Sequence, residues 1–332
     1  MGRKKHRDWK LEQGQRNQVP WKELPRPLDW TALFRREAPL EVEIGFGNGE
    51  YLCEIAADAP ERNFVGLELK AFRLKKALRQ LELRGLGNVR LVLADARVAF
   101  QRFFRQKSIS RVHSLFSDPW PKAKHEKFRL FSRNFLELMN SRLREAGEAF
   151  IVTDQAAYSE WILEQAQDTG FDCLHRLTPP HYGTKFERKW REERGQQRFH
   201  EIRLQKRCHI DRPLITDIEL EIPPIQSFRP DSFSPGSARG DIVVEFRRVK
   251  WDADRQQARL LAIAVDGPLV QNVGMTIARR GPEWSLELQS PQQVVPSPSV
   301  QRALDLAAAA CASSPPARAP GSGWTPQPPF PE

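Results

Sequence analysis

The sequence predicts an α/β protein with a mostly parallel, doubly wound sheet, followed by a smaller β-rich domain. Three observations predict it. From Leu40 onward, short apolar runs alternate with amphipathic stretches, the pattern of parallel strands crossing over through helices. A glycine-rich turn, Gly45-Phe46-Gly47-Asn48-Gly49, lies between the first apolar run and the first amphipathic stretch. After about residue 210 the helical period fades, and 17 of the 26 prolines lie beyond residue 211, which cuts that part into short pieces.

In chain order, residues 1–20 are polar and basic and read as a flexible arm. Residues 21–39 hold Trp21, Trp30, Phe34 and three prolines, a composition for irregular packing on a core. Strands are expected at 40–44, 63–67, 89–93, 111–116 and 147–153, and helices at 50–58, 71–84, 97–106, 125–143 and 156–169. Two further strands, 171–177 and 197–205, flank a long loop with Pro179, Pro180 and Gly183; this last pair closes the sheet at seven strands with an antiparallel edge. Beyond them, 214–222, 241–249, 258–265, 270–279 and 283–288 read as strands, punctuated by Pro223-Pro224, Asp266-Gly267 and Arg280-Gly281. The expected domains are an arm (1–20), the α/β domain (21–210) and a β-rich extension (211–298). A short Ala-rich helix and a Pro-rich tail of disordered composition (299–332) complete the chain.

The net charge is +10 and the sequence pI about 9.7. Residues 1–210 carry +12 and residues 211–332 carry −2, so the surplus belongs to the α/β part and favours a polyanionic partner there. An ordinary high-pI protein without such a partner is the competing reading of charge alone. No apolar run approaches the ~18 residues of a membrane span, and no apolar stretch follows the basic start as in a signal peptide. Cys53, Cys173, Cys208 and Cys311 form no CxxC pair, which argues against a disulfide framework or a metal site and fits a cytoplasmic location.

The glycine turn has the form G-x-G-x-G. A dinucleotide fingerprint needs a third glycine where Glu50 stands, and no GxxxxGK[ST] occurs, so NAD, FAD and P-loop readings are disfavoured. Acids mark the ends of three successive strands: Glu43 just before the turn, Glu68 at the end of the second strand, and Asp95 after the third. Singly, each is an ordinary loop acid. Together they line the carboxyl edge of a parallel sheet, where ligands bind. Glu68 suits a ribose, whose vicinal hydroxyls donate to a carboxylate, and Asp95 suits an adenine amino group. A ligand with ribose and adenine but no pyrophosphate is implied, and S-adenosylmethionine fits. The fourth strand end, Ser117-Asp118-Pro119-Trp120-Pro121-Lys122, leads into the basic cluster Lys122, Lys124, His125, Lys127 and Arg129, which suits phosphates. Thr153-Asp154-Gln155 and Thr184-Lys185-Phe186-Glu187 fall at the same edge.

Taken together and in this order, EIGFGNG, GLELK, SDPWPKAKHEKFR, TDQ and TKFE resemble the bacterial tRNA (guanine-N7)-methyltransferase family over roughly residues 30–206. The resemblance implies a Rossmann-like class I methyltransferase fold and methylation of guanosine 46 in the tRNA variable loop, with S-adenosylmethionine as donor and no metal. It implies that Glu43, Glu68 and Asp95, with the glycines Gly45, Gly47 and Gly49, bind the donor. Asp118 matches a position both donor-contacting and catalytic. Lys122, Asp154, Thr184, Lys185, Phe186 and Glu187 match positions implicated in tRNA or guanosine binding.

The chemistry agrees with the residue types. Guanine N7 carries a lone pair and no proton, so its methylation needs alignment and electrostatic stabilisation rather than a base. Asp118 has two open roles, reading the guanine edge or positioning the donor; Asp154 takes the guanine edge if Asp118 does not. Lys122 and Lys185 hold phosphates, and Trp120 either stacks on an extruded base or packs in its loop. The arm residues Arg3, Lys4, Lys5, Arg7 and Lys10 either wrap RNA or only solubilise the chain. Two rival functions remain at this level. Asp-Pro-Trp is similar to the Asp/Asn-Pro-Pro-aromatic motif of amino-group methyltransferases, though its second proline follows the aromatic residue. A non-catalytic RNA-binding scaffold is the other. The β-rich extension is either an added tRNA clamp around Arg247, Arg248 and Lys250 or a protein-interaction module; the oligomeric state is open.

Overall fold

The computed structural model describes residues 17–195 and 197–312, the side chains at 185, 186 and 194 excepted. The chain divides into two compact units, one reaching to Asp217 and one starting at Ile218. The expectations for residues 1–16 and for the tail from Ser313 lie outside the described residues. No described helix is long and apolar enough to cross a membrane.

The first unit is built on a seven-stranded sheet of order β3-β2-β1-β4-β5-β7-β6. Its strands are β1 (Leu40–Ile44), β2 (Asn63–Glu68), β3 (Val89–Leu93), β4 (Ile109–Leu115), β5 (Leu143–Thr153), β6 (Phe171–Thr178) and β7 (Phe199–Lys206). β1 to β5 pair in parallel, and β7 lies antiparallel between β5 and β6. Its helices are α1 (Trp30–Phe34), α2 (Glu50–Asp58), α3 (Ala71–Arg84), α4 (Ala96–Arg102), α5 (Arg133–Arg142), α6 (Ala156–Gln165) and α7 (Lys185–Arg194). β1 and β2 are buried along their whole length, as strands covered by helices on both faces must be. Strand order reverses between β1, which pairs with β2 on one side, and β4 on its other side. That reversal opens a crevice at the carboxyl edge, the place where this architecture binds ligands.

Several expected elements differ. Residues 17–20 join the core: Asn17 Nδ2 donates to Leu86 O (3.1 Å) and Val89 O (3.2 Å), and Val19 N donates to Leu91 O (2.9 Å). The helix expected over 125–143 is two pieces, a 3₁₀ segment Ala123–Phe128 and α5. Between them Arg129 leaves helical geometry, donates to Pro119 O (3.1 Å) and lies 5.0 Å from the Trp161 ring. The long loop before β7 contains α7. Its apolar content is too low for a periodicity signal, yet Thr184 caps it by accepting from Glu187 N (3.1 Å), and Glu187 reaches back to accept from Tyr182 N (3.0 Å). No strand forms over 214–222: Ile215 N donates to Gln101 O, and Asp217 accepts from Arg26 Nε (3.0 Å) and Arg102 Nη1 (3.3 Å). Side-chain anchoring between prolines replaces a ladder there.

The second unit is an antiparallel sheet of order β11-β10-β9-β8, comprising β8 (Ile242–Asp252), β9 (Gln257–Asp266), β10 (Leu269–Arg280) and β11 (Glu283–Leu288). The Ala-rich stretch forms α8 (Pro298–Ala312), whose Val300, Ala303, Leu304 and Ala307 share a core with Leu260, Ala262, Val273, Met275 and Ile277. Alternate residues of β9 and β10 are buried, so one sheet face carries this core. The buried Gln271 amide is satisfied from both ends, donating to Val295 O (2.9 Å) and accepting from Val295 N (2.8 Å). Of the local cations noted above, Arg247 pairs with Glu245 (3.0 Å).

Gly66 in β2 has no room for a side chain. A Cβ there would meet Phe46 at 2.6 Å, Leu52 at 2.7 Å and Leu91 at 2.9 Å. Gly66→Ala is expected to destabilise the first unit by about 1–3 kcal/mol through overpacking. Thermal denaturation of the variant checks this; an unchanged Tm would contradict it.

Candidate active site

β1 delivers the glycine turn to the crevice. Gly45, Gly47 and Gly49 all hold positive φ (76°, 59° and 83°), a backbone that side-chain-bearing residues rarely adopt. Their surroundings differ. Among the described residues, a Cβ would meet nothing within 4 Å at Gly45 and nothing closer than 3.9 Å at Gly47, whereas at Gly49 it would lie 2.8 Å from Ala77 Cβ. Gly45 and Gly47 therefore leave the backbone open to a ligand. Gly49 lets α2 approach α3 and lines neither cavity of the site.

Two cavities meet at Gly45 and Arg73. The larger, about 580 Å³, is lined by Glu68, Asp95, Ser117, Asp118 and Trp120 among others. The smaller, about 270 Å³, is lined by Gly47, Tyr51, Phe72, Phe116, Thr184 and Lys189 among others. Ends of β1 to β4 thus contribute to one pocket of small-ligand size. Glu68 is held by four donors: Leu69 N (2.8 Å), Lys70 N (3.1 Å), Gly47 N (3.2 Å) and Arg73 Nη1 (3.4 Å). Asp95 caps α4 by accepting from Arg97 N (2.8 Å) and takes the Arg97 guanidinium as a fork at 3.0 and 2.7 Å.

Asp118 is exposed and accepts from Trp120 N (3.2 Å). The residues two before and two after it, Phe116 and Trp120, both have positive φ (56° and 44°). Left-handed backbone at two bulky residues costs on the order of 1–3 kcal/mol each and concentrates at functional turns. Trp120 packs among its own neighbours, with ring centroids 5.6 Å from His125 and 5.4 Å from Phe128. The packing alternative thus holds for this conformation, while Trp120 still borders the large cavity.

Other expected residues fall outside the cavities. Lys122 is exposed and lines neither. Asp154 is half-buried, accepts from Gln155 Nε2 (2.6 Å) and lines neither. Thr184 lines the smaller cavity, but Glu187 is a buried helix cap, and the side chains of Lys185 and Phe186 are outside the described residues. Arg129 is committed to Pro119 and Trp161, so it does not belong with the free cations of its cluster.

Glu43 departs most from expectation. It is buried beneath the turn, lines neither cavity, and its Oε2 has no hydrogen-bond partner among the described residues. Burial, with the nearby Glu68 charge adding to it, pushes its carboxyl up to about 8. Alongside runs a satisfied chain: His113 Nε2 bonds Glu41 Oε2 (2.7 Å), and His113 Nδ1 lies 3.1 Å from Tyr51 Oη. Burial lowers the His113 pKa, so the neutral ring donates from Nε2 to the carboxylate and accepts from the tyrosine. Tyr51, Phe72, Arg73, Lys76, Arg97 and Lys189 were not singled out from sequence; the basic run Lys70 to Arg79 is the signal that could have marked Arg73 and Lys76. No group of three or more metal-ligating side chains occurs among the described residues.

Parallel strands with an antiparallel edge, an open glycine turn and acids at strand ends form a ligand pocket at the carboxyl edge of a doubly wound α/β domain. A family described as putative methyltransferase matches residues 37–200. A tRNA (guanine-N(7)-)-methyltransferase of Chlorobium phaeobacteroides is 45% identical over 183 residues, which cover 55% of this chain and 89% of that protein. One of Nitrosomonas europaea is 37% identical, covering 53% and 79%. The chain spans about half the length of the Thermotoga maritima relative, 54%, at 36% identity. The chain belongs to the tRNA (guanine-N(7)-)-methyltransferase family. Among solved structures, the 16S rRNA methyltransferase KamB aligns with a TM-score of 0.43 at 15% identity, covering 54% of this chain and 93% of that one.

The raised Glu43 pKa has a stability consequence. The unfolded group ionises near 4.5 and the folded one near 8, so its contribution is complete below pH 4.5 and is lost as pH rises through 8. Glu43→Gln is expected to flatten the fall of Tm between about pH 5 and 8; an identical fall in both proteins would show that Glu43 does not titrate this way.

Proposed function

We propose that the first unit transfers a methyl group from S-adenosylmethionine to N7 of a guanosine in tRNA, guanosine 46 of the variable loop. The observation that carries this is the large cavity shared by Gly45, Glu68, Asp95 and Asp118, in a chain of this family. The residues fit the donor. Its volume suits a molecule of that size. The open turn admits close backbone approach, and Glu68, Asp95 and Asp118 bring to the same cavity carboxylates of the kind that hydroxyls, an amine and a cationic sulfur would meet. The donor supplies an electrophilic methyl carbon; the N7 lone pair forms the new bond as the sulfur–carbon bond breaks.

The chain's task is positioning. Glu68 is anchored by three backbone amides, and a ribose hydroxyl takes the acceptor site that the long Arg73 contact (3.4 Å) fills here. Asp95 offers the same toward the adenine side, with Arg97 holding its orientation. Asp118 stands on a strained turn at the cavity wall, where a carboxylate stabilises the positive charge that develops on guanine. Exposed Lys122 and Lys124 follow that wall in sequence and serve RNA phosphates, and Thr184 borders the guanosine side from the smaller cavity. No residue is needed as a base. With a tRNA substrate, the reading we adopt for location is the cytoplasm.

The test is methyl transfer from labelled S-adenosylmethionine to unmodified tRNA, followed by nucleoside mass spectrometry. A 7-methylguanosine peak that disappears when the variable-loop G is changed to A is the expected result. A methyl on an exocyclic amine, or none, would refute the reading. Asp118→Ala is expected to lower kcat/KM by about 10²-fold or more with an unchanged Tm, because the side chain is exposed. Glu68→Ala is expected to raise chiefly the donor KM.

A further inference from the structure

The helix α3 contradicts its own stability rules. Its N-cap is Lys70, its first turn has no acid, and Arg73, Lys75, Lys76 and Arg79 follow. The helix dipole disfavours cations at this end. Lys75 and Arg79 are four apart and Lys76 and Arg79 three apart, like-charge spacings that weaken a helix. Lys70, Lys75, Lys76 and Arg79 form no ion pair among the described residues. The opposite face is ordinary: Leu74, Ala77 and Leu81 are buried on the sheet.

Large apolar side chains stand in the same exposed face. Phe72 is 56% exposed and Leu69 66%. The Phe72 ring is flanked by cations, with Lys76 Nζ 5.9 Å and Arg73 Cζ 6.0 Å from its centroid. This face borders the site directly. Phe72 and Lys76 line the smaller cavity, across which stand Thr184 and Lys189, and Arg73 lines both cavities.

We propose that the exposed face of α3 is a docking face for the backbone of the substrate RNA. Lys75, Lys76 and Arg79 hold phosphates, and Phe72 is a stacking platform for an unpaired nucleotide at the mouth of the smaller cavity. The inference rests on the tRNA-methylating reading above and names the surface that delivers that substrate. Unpaired cations interleaved with an exposed ring are the recognition chemistry of unstacked nucleic acid. The cations also explain why local electrostatic strain is retained in a helix whose packing does not need it.

The experiment uses the full chain carrying Lys75→Ala and Arg79→Ala, at positions that line neither cavity of the site. The expected result is a tRNA KM raised about tenfold near 0.15 M salt with the donor KM unchanged. The slope of log kcat/KM against log salt should become shallower by about 1.5, from two lost phosphate contacts. Tm should hold or rise, since alanine removes a like-charge pair and favours the helix. Separately, Phe72→Leu is expected to raise the tRNA KM and Phe72→Tyr to preserve it. An unchanged tRNA KM and salt slope would overturn the proposal. So would a double variant that keeps its tRNA affinity but loses binding to vesicles of anionic lipid, which would assign the face to a membrane surface. If the unaltered protein methylates no tRNA, the functional reading fails by itself. The docking face is then decided by the tRNA Kd, which must still weaken in the double variant.

Discussion

The Glu68 carboxylate ties together the parts on which the site depends. It ends β2, accepts from Gly47 in the turn after β1, and accepts from Leu69, Lys70 and Arg73 at the entry to α3. Three segments distant in sequence or direction are thereby set around one anion. A buried carboxylate is tolerated only when several donors meet it, and here most are backbone amides that cannot swing away. The turn geometry, the entry angle of α3 and the wall of the large cavity all follow from that arrangement.

Charge in the first unit is layered. Carboxylates line the large cavity, Glu68 on its wall and Asp95 and Asp118 at its rim, while the Glu43 carboxyl is sealed beneath the turn. Cations occupy the outer edge, on α3 and along the 3₁₀ segment after Asp118. A lining of acids suits a cationic donor, and an outer ring of cations suits a polyanion. The two layers repel the wrong partner from each position, since RNA phosphate is unwelcome over buried carboxylates. Glu43 meets its crowding by holding its proton, with Glu68 supplying part of the repulsion.

The second unit follows different rules. It carries a single apolar face under α8, with Ala at three positions of the contacting strands so that helix and sheet approach closely. Its small core relies on satisfied polar groups at the edges, among them Gln271 and the Asp266 carboxylate that accepts from Ser299 N (3.1 Å). The match to the methyltransferase family ends at residue 200, within the first unit.

Legibility in the sequence followed the range of the interactions. Strand–helix alternation, the positive-φ glycines and the strand-end acids are local signals, and the seven-stranded sheet with its antiparallel edge was readable from them. Elements whose stability is not carried by an apolar stripe were not: α7 is nearly all polar, and the 214–222 segment is apolar enough for a strand but is anchored by side chains instead. Among site residues, sequence identified the acids but not their fates. That Glu68 and Asp118 face a cavity while Glu43 lies sealed beneath the turn depends on how β1, β2 and α2 stack, and burial is a property of the assembled layers. Equally, the cations of α3 are visible as letters in the sequence, but only the tertiary structure turns Leu74 and Leu81 inward and so leaves Phe72, Lys75 and Arg79 facing outward together.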